Sequence, residues 1–241
     1  MSTTMDDADV LFEVSGPVAT ITLARAARRN AIGSAFAARI ADAFARAAGA
    51  GARITILRSA GPVFCAGVDL TEPVRLDASS PELVVAEALL GSGLYVVTAV
   101  EGPVLAGGLL LIALSPVVIA SESASLWLPE RSIGIFPSRV LAYLEEIVPA
   151  RRAHGLGLTE ERLDARHAHE LGLVTEVVGD GEMEARLAAT TAELTEASPA
   201  FLAAARDTWA ARFRSASFRE RRDAYDRILA DNLSRTQLLP R

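Results

Sequence analysis

The sequence predicts an α/β fold with a helical section at its C-terminus. Strand-like runs alternate with helical patterns up to about Gly181, and only helical patterns follow. Hydrophobic residues make up 51% of the 241 residues, which is enough for a sizeable core and argues against disorder. We therefore expect an α/β core over residues 1–181 and a helical region over residues 182–241.

The individual elements follow from local patterns. Strands are predicted at the β-rich runs Val10–Val14, Val18–Leu23, Ile54–Leu57, Val96–Val100, Val117–Ala120 and Val174–Val178, with an extended piece at Ala124–Leu128. Helices are predicted at Ala31–Ala48, Pro81–Leu90, Arg139–Val148, Arg151–Gly155, Ala165–Leu171, Glu182–Glu196, Pro199–Ala216 and Phe218–Ser234. Ser15-Gly16-Pro17 indicates a hairpin, and Ser80 is expected to cap the helix that begins at Pro81. Thr71–Ser80 and Pro129–Ser138 are expected to be irregular.

Composition excludes several classes of function. A net charge of −6 argues against a nucleic-acid partner, and all 24 basic residues are arginine, which excludes lysine Schiff-base chemistry. Cys65 is the only cysteine, so neither an internal disulfide nor a multi-cysteine metal site can form. The acidic first ten residues are not typical of a signal peptide. The apolar stretch Pro103–Ala120 is interrupted by Gly107-Gly108 and Ser115-Pro116, so we expect no membrane span and a cytoplasmic protein.

The chain is organised around Ala99–Ser115, which predicts the end of a buried strand followed by a glycine pair that opens an apolar helix. Gly107 and Gly108 have no Cβ, so a ligand can approach the backbone closely. A helix start also leaves N–H groups unpaired, which suits an oxygen that gains negative charge. The pair fits equally well a position where two helices pack tightly.

Several segments occur together in a specific order. They are Ile21–Ile32, Ile54–Leu70, Ala99–Ala120, Leu126–Ile135 and Asp164–Val178. In this order they resemble the crotonase family, also called the enoyl-CoA hydratase/isomerase family, from about Val10 to Ala205. The resemblance implies a crotonase-like spiral of ββα units, a C-terminal helical trimerisation region, and a homotrimer or hexamer. It also implies a substrate carried as a coenzyme A thioester, with no permanently bound cofactor and no metal.

The resemblance assigns the oxyanion hole to the backbone N–H groups of Val68 and Gly107. Two preorganised donors are what a thioester carbonyl needs when it becomes an enolate. Without the family, Phe64–Leu70 is equally a strand-to-helix turn in which Asp69 caps the next helix.

The acid–base groups separate members of this family. Hydratases carry two glutamates, and the corresponding positions here hold Leu110 and Glu130. A single carboxylate beside an oxyanion hole suits the movement of a double bond, and its pKa should rise in an apolar pocket. The pattern resembles mitochondrial-type 3,2-enoyl-CoA isomerases, which also have leucine at the first position.

Other interpretations stay open at this point. A hydratase, a related lyase or decarboxylase, and a non-catalytic acyl-CoA-binding protein all fit the pattern. From its local sequence alone Glu130 fits a surface or capping carboxylate better, and only its place in the fourth segment favours catalysis.

The resemblance also suggests how coenzyme A binds. The matching positions are Arg28, Arg29, Ala31, Ala66, Asp69 and Leu70. Arginine suits phosphate groups, although a solvated basic loop explains any single arginine equally well. Apolar residues near Leu110 and Trp127 are expected to line the acyl end.

Overall fold

The computed structural model describes residues 3–7 and 9–236, with side chains from residue 9 onward. Its strands within these residues are β1 (Thr3–Asp7), β2 (Val10–Ser15), β3 (Val18–Leu23), β4 (Ile54–Ser59), β5 (Tyr95–Val100), β6 (Val104–Leu105), β7 (Val117–Ser121), β8 (Ser125–Trp127), β9 (Leu163–Asp164) and β10 (Glu176–Val178). Its α-helices are α1 (Ser34–Gly49), α2 (Pro81–Gly91), α3 (Leu109–Leu114), α4 (Ser138–Leu144), α5 (Ala150–Thr159), α6 (Ala165–Glu170), α7 (Met183–Glu196), α8 (Pro199–Arg214) and α9 (Ala216–Thr236). Short 3₁₀ helices cover Ala26–Arg28, Ala106–Gly108 and Glu130–Ile133.

A seven-stranded sheet has the order β1-β2-β3-β4-β5-β7-β10, and a small second sheet has the order β6-β8-β9. The β1–β2 and β2–β3 pairs are antiparallel, and the other pairs of the large sheet are parallel. Parallel strands covered on both faces become almost continuously apolar, which explains why every residue of β5 after Tyr95 is buried.

Helices cover both faces of the large sheet. The main hydrophobic cluster contains Phe36, Ile40 and Phe44, whose spacing of four residues places them on one side of α1. A second cluster contains strand residues such as Val97, which alternate along β5 with residues of the main cluster and so lie on the opposite face of the sheet. Leu187 of α7 belongs to this second cluster. The C-terminal helices therefore return to the α/β part of the same chain.

The strands and helices predicted from the sequence are found among the described residues, mostly within three residues of the predicted limits. β1 was not predicted, because its sequence TTMDD is polar and it pairs with β2 through backbone hydrogen bonds. β6 and β9 have two residues each, which is too short for a periodic pattern. The interpretation of the first ten residues falls partly on residues 1, 2 and 8, which lie outside the described residues.

Ser80 is the N-cap residue of α2, as predicted, and its carbonyl accepts hydrogen bonds from the Leu83 and Val84 N–H groups at 3.0 Å. The Ser80 side chain makes no capping hydrogen bond, and its Oγ accepts a hydrogen bond from Arg139 Nη1 at 2.7 Å instead. Across the described residues, none of the helices combines the length and the apolarity that crossing a membrane requires.

Candidate active site

A pocket of about 370 Å³ lies where several loops and helices of the chain meet. One wall comes from the segment after β4 and from the turn before α3. The 3₁₀ turn that begins at Glu130 forms a second wall, and α2, α4 and α9 close the remaining side. The lining residues are Arg29, Ala66, Val68, Leu70, Val74, Glu82, Leu105, Ala106, Gly107, Pro129, Glu130, Ser132, Ile133, Ile135, Pro137, Arg139, Val140, Leu229 and Leu233.

The backbone around Val68 is fixed from both sides. Ile32 N–H donates to the Gly67 carbonyl at 2.7 Å, and Asp69 N–H donates to the Ile32 carbonyl at 3.0 Å. These bonds use the groups on either side of Val68, whose own N–H donates to no backbone carbonyl in the described part of the chain. On the other side, Leu105 N–H donates to the Cys65 carbonyl at 2.9 Å.

Gly67 lets this segment approach the glycine turn. Its φ is +83°, and a Cβ at this position would lie 2.7 Å from Ala106 Cβ and 2.8 Å from Gly107 N. Such contacts are too short for any side chain, so glycine is required here. The resulting approach is close: a Cβ added to Gly107 would lie 3.7 Å from Val68 N.

The two glycines of the pair have different surroundings. A Cβ at Gly108 would lie 2.8 Å from the Cys65 carbonyl oxygen, so Gly108 permits close packing against the segment after β4. Gly107 lines the pocket, and a Cβ there would meet nothing closer than 3.6 Å. Gly107 also lies in the first turn of the Ala106–Gly108 helix, where N–H groups have no partner within the helix. Ala106 adopts a positive φ of 51°, unusual for a residue with a Cβ.

Glu130 is the acidic residue that the turn after β8 directs toward the pocket. It begins the 3₁₀ helix behind Pro129, and it is partly buried. Its Oε2 is fully buried and has no hydrogen-bond partner among the described residues. Burial raises the pKa of Glu130 to about 7; its own backbone N–H opposes this change, and the nearby Glu160 carboxylate adds to it. A carboxyl group with this pKa can both accept and donate a proton near neutral pH.

Three of the predicted coenzyme A residues, Arg28, Ala31 and Asp69, do not line the pocket. They take part in hydrogen bonds within and between the loop after β3 and the segment after β4. Asp69 is 4% exposed and accepts hydrogen bonds from Arg25 Nη1 at 3.1 Å and from the Thr71 hydroxyl at 2.7 Å. The Thr71 hydroxyl is the main reason why the pKa of Asp69 is lowered, and burial opposes the change. Arg28 Nη2 donates to Thr71 Oγ1 at 2.7 Å, and the Ala31 carbonyl accepts from Arg25 at 3.0 Å.

Asp69 does not cap a helix, because an irregular segment follows it up to α2. Arg29, Ala66 and Leu70 do line the pocket, and Arg29 is an exposed cation there. Asn30, which the sequence reasoning missed, is fully buried and donates to the carbonyls of Val63 and Phe64 at 2.9 and 3.1 Å. Asn30 stands between Arg29 and Ala31, two of the predicted coenzyme A residues, and this position could have identified it from the sequence.

The sequence predicts an acyl lining from apolar residues near Leu110 and Trp127, and which residues line an acyl group stays a prediction. Leu110 is 2% exposed within the hydrophobic core, and the Trp127 ring lies under the Arg162 guanidinium, 4.5 Å from its centroid. Neither residue lines the pocket. The apolar lining comes instead from Val74, Ile133, Ile135, Leu229 and Leu233.

Other reactive side chains lie outside this arrangement. Burial raises the pKa of the Cys65 thiol to about 12. In the portion of the chain that the structure describes, no group of three or more histidine, cysteine or acidic residues is placed to hold a metal ion.

Comparison with known proteins identifies similar chains and folds. Residues 13–237 match the family model described as enoyl-CoA hydratase/isomerase. A probable enoyl-CoA hydratase of Rhodobacter capsulatus is 31% identical over 205 residues, which are 81% of this chain and 78% of that protein.

Two solved structures show how similar the folds are. The crystal structure of an enoyl-CoA hydratase from Mycobacterium avium has a TM-score of 0.80 at 28% identity, covering 96% of this chain and 95% of that one. A probable enoyl-CoA hydratase from Mycobacterium smegmatis has a TM-score of 0.83 at 24% identity, covering 94% and 95%. These likenesses confirm the predicted fold class, whereas the predicted trimer and the division at residue 181 stay predictions.

Proposed function

This chain belongs to the enoyl-CoA hydratase/isomerase family and is an enzyme of acyl-CoA thioesters; we propose that it moves a double bond within a 3-enoyl-CoA. The observation that carries the proposal is Glu130. Among the described residues that line the pocket it is the one carboxylate without a cationic partner, since Glu82 is paired with Arg139. A single acid–base group is what double-bond migration requires.

In this proposal the backbone N–H groups of Val68 and Gly107 donate hydrogen bonds to the thioester oxygen. As a proton leaves C2, negative charge develops on that oxygen, and the two fixed donors stabilise it. Loss of one such donor typically raises the barrier by about 3 kcal/mol. Both donors belong to the main chain, so the Val68 side chain does not matter for this role.

Glu130 then performs both proton transfers. The carboxylate removes a proton from C2 of the 3-enoyl thioester, and the electron pair of the broken C–H bond is delocalised into a dienolate. Protonated Glu130 returns the proton to C4, which leaves the double bond between C2 and C3. A pKa of about 7 suits both steps, because neither direction of transfer is strongly unfavourable.

Hydration of a 2-enoyl-CoA is the second candidate, because the relatives compared above are named hydratases. Water addition benefits from a second group that orients the water molecule. The family resemblance implies that hydratases carry this second group, a glutamate, at the position of Leu110. The Leu110 side chain is buried in the core. This difference favours migration of the double bond over hydration.

The test is an assay with purified protein and a series of 3-enoyl-CoA substrates, followed by the absorbance of the conjugated product. Wild type should form the conjugated thioester, and Glu130→Gln should lose at least about a hundredfold in kcat. Glu220→Gln is the matched control, because Glu220 is an exposed carboxylate of α9 outside the pocket.

Four results would contradict the proposal. Wild type that fails to conjugate any 3-enoyl-CoA would exclude isomerisation. Faster loss of the conjugated chromophore from a 2-enoyl-CoA would identify a hydratase. Equal activity of wild type and Glu130→Gln would remove Glu130 from the reaction. Binding of acyl-CoA without turnover of either substrate would indicate a non-catalytic binding protein.

A further inference from the structure

Two buried carboxylate oxygens in the described part of the chain have no hydrogen-bond partner, Glu130 Oε2 and Glu82 Oε2. Both residues line the same pocket. An unpaired buried acceptor is unfavourable, so it calls for an explanation. Proton transfer explains Glu130, but nothing in the proposed reaction uses Glu82.

Glu82 is held rigidly by its other oxygen. It lies in the first turn of α2 with its side chain 9% exposed, and its Oε1 accepts a hydrogen bond from Arg139 Nη1 at 2.6 Å. Arg139 is itself 3% exposed and lines the pocket, and its Nε donates to Asp226 Oδ1 of α9 at 2.6 Å. One guanidinium thus serves two carboxylates, which leaves the cluster with an excess of negative charge when both are ionised.

The elements that carry this cluster are not those that carry the proposed reacting groups. Glu82, Arg139 and Asp226 belong to α2, α4 and α9, whereas Val68, Gly107 and Glu130 come from the segments after β4, β6 and β8. Apart from Arg139, the residues that α4 and α9 contribute to this side of the pocket are apolar: Val140, Leu229 and Leu233. Glu82, beside Arg139, is therefore a fixed acceptor among apolar side chains.

Glu82 Oε2 is already covered from solvent, and an acyl group that fills the pocket keeps water away from it. A methylene chain would leave Oε2 without any hydrogen bond, whereas a hydroxyl group would supply one. A carboxylate on the ligand would be repelled by the excess negative charge of the cluster. Sites built to bond a hydroxyl group reject analogues that lack it, because the protein group is then left unpaired.

We propose that Glu82 is a specificity-determining residue that accepts a hydrogen bond from a hydroxyl group on the acyl part of the substrate, away from the thioester. The substrates are then hydroxylated acyl-CoA thioesters in preference to plain chains. This inference rests on the proposed function only in taking acyl-CoA as the ligand of this pocket.

A purely structural role for the cluster makes a different prediction. Arg139 also donates to Ser80 Oγ and to the Arg75 carbonyl at 3.4 Å, so the cluster joins the loop before α2 to α4 and α9. Asp226 shares this joining role but does not line the pocket. Asp226→Asn is therefore the matched control, because it weakens the same guanidinium network and leaves the pocket acceptor in place.

The test measures binding by calorimetry, so that it does not depend on turnover. The ligands are a saturated medium-chain acyl-CoA and counterparts that carry one hydroxyl at successive carbons beyond C4. Wild type should bind the best hydroxylated ligand about tenfold more tightly than the plain one. Glu82→Met should abolish this preference, Glu82→Gln should reduce it, and Asp226→Asn should keep it even if its unfolding temperature falls.

Equal binding of plain and hydroxylated ligands by wild type would overturn the role of Glu82 and leave the proposed isomerisation untouched. Loss of the preference in Asp226→Asn as well as in Glu82→Gln would also overturn it, because the effect would then follow the network and not the acceptor. Failure of wild type to bind any acyl-CoA would overturn both proposals. If Glu82→Met does not fold, the comparison between Glu82→Gln and Asp226→Asn decides the question.

Discussion

Glu130→Gln should stabilise the protein above neutral pH while it removes the proposed activity. Burial raises the pKa of Glu130 from 4.5 to about 7. A change of this size means that ionised Glu130 destabilises the folded state by about 3 kcal/mol relative to the unfolded chain. Glutamine has a similar shape and no charge, so the variant avoids this penalty.

The pH range follows from the two pKa values. Below pH 4.5 the group is protonated in both states, and Glu130 causes no penalty. Between pH 4.5 and about 7 the unfolded chain releases its proton before the folded protein does, so stability falls as the pH rises. Above pH 7 both states are ionised and the full penalty is present. The advantage of Glu130→Gln should therefore appear across this interval and reach about 3 kcal/mol at its upper end.

Urea unfolding, followed by circular dichroism at a series of pH values, measures this difference. Glu220→Gln should keep the free energy of unfolding within about 0.5 kcal/mol of wild type, because substitutions of exposed residues away from specific contacts have small effects. A constant difference between wild type and Glu130→Gln across the series would refute a raised pKa, and with it the environment that the proposed proton transfers need.

Two further predictions concern the same site. Gly67→Ala should lower kcat/KM at least about a hundredfold, because its Cβ would meet Ala106 Cβ at 2.7 Å and separate the two amides. Gly16→Ala shares the positive φ but meets nothing within 4 Å, so in unfolding and kinetic assays it should lose stability without losing activity. The pH profile of kcat/KM should rise up to about pH 7 as Glu130 ionises, and Glu160→Gln should move its midpoint to lower pH. An unchanged midpoint would contradict the Glu160 contribution.

The sequence was most informative where one local pattern decides the outcome. Val10–Val14 and Val18–Leu23 form the predicted hairpin because turn residues separate two apolar runs, and the α1 helix follows from its period of four. β1 lacked any such pattern, since the sequence TTMDD does not alternate and the strand is recognised only from its pairing with β2. Val68, Gly107 and Glu130 do line one pocket, as the resemblance implied, but their roles stay predictions.

The side of the pocket formed by α2, α4 and α9 could not be predicted, because it depends on contacts between distant parts of the chain. Glu82 and Arg139 are 57 positions apart, and Arg139 and Asp226 are 87 apart. Each of these charges alone looks like part of a solvated helix face. Leu229 and Leu233 form a narrow apolar stripe among charged residues, and only the placement of α9 shows what that stripe covers.

Two sides of the pocket should respond differently to substitution. One, the glycine wall, is formed by the backbone around Gly67 and Gly107, and the other, the helical wall, is formed by side chains of α2, α4 and α9. The proposed oxyanion donors are main-chain groups, held by backbone bonds on both sides and by a glycine that no other residue can replace. A side-chain change elsewhere leaves those donors in position. The opposite wall consists of side chains from α2, α4 and α9, so substitutions at Glu82 or Leu233 change what the pocket accepts without moving the reacting groups. Substrate preference in this chain should therefore be altered from the helical wall, and altering the glycine wall should abolish the reaction for every substrate alike.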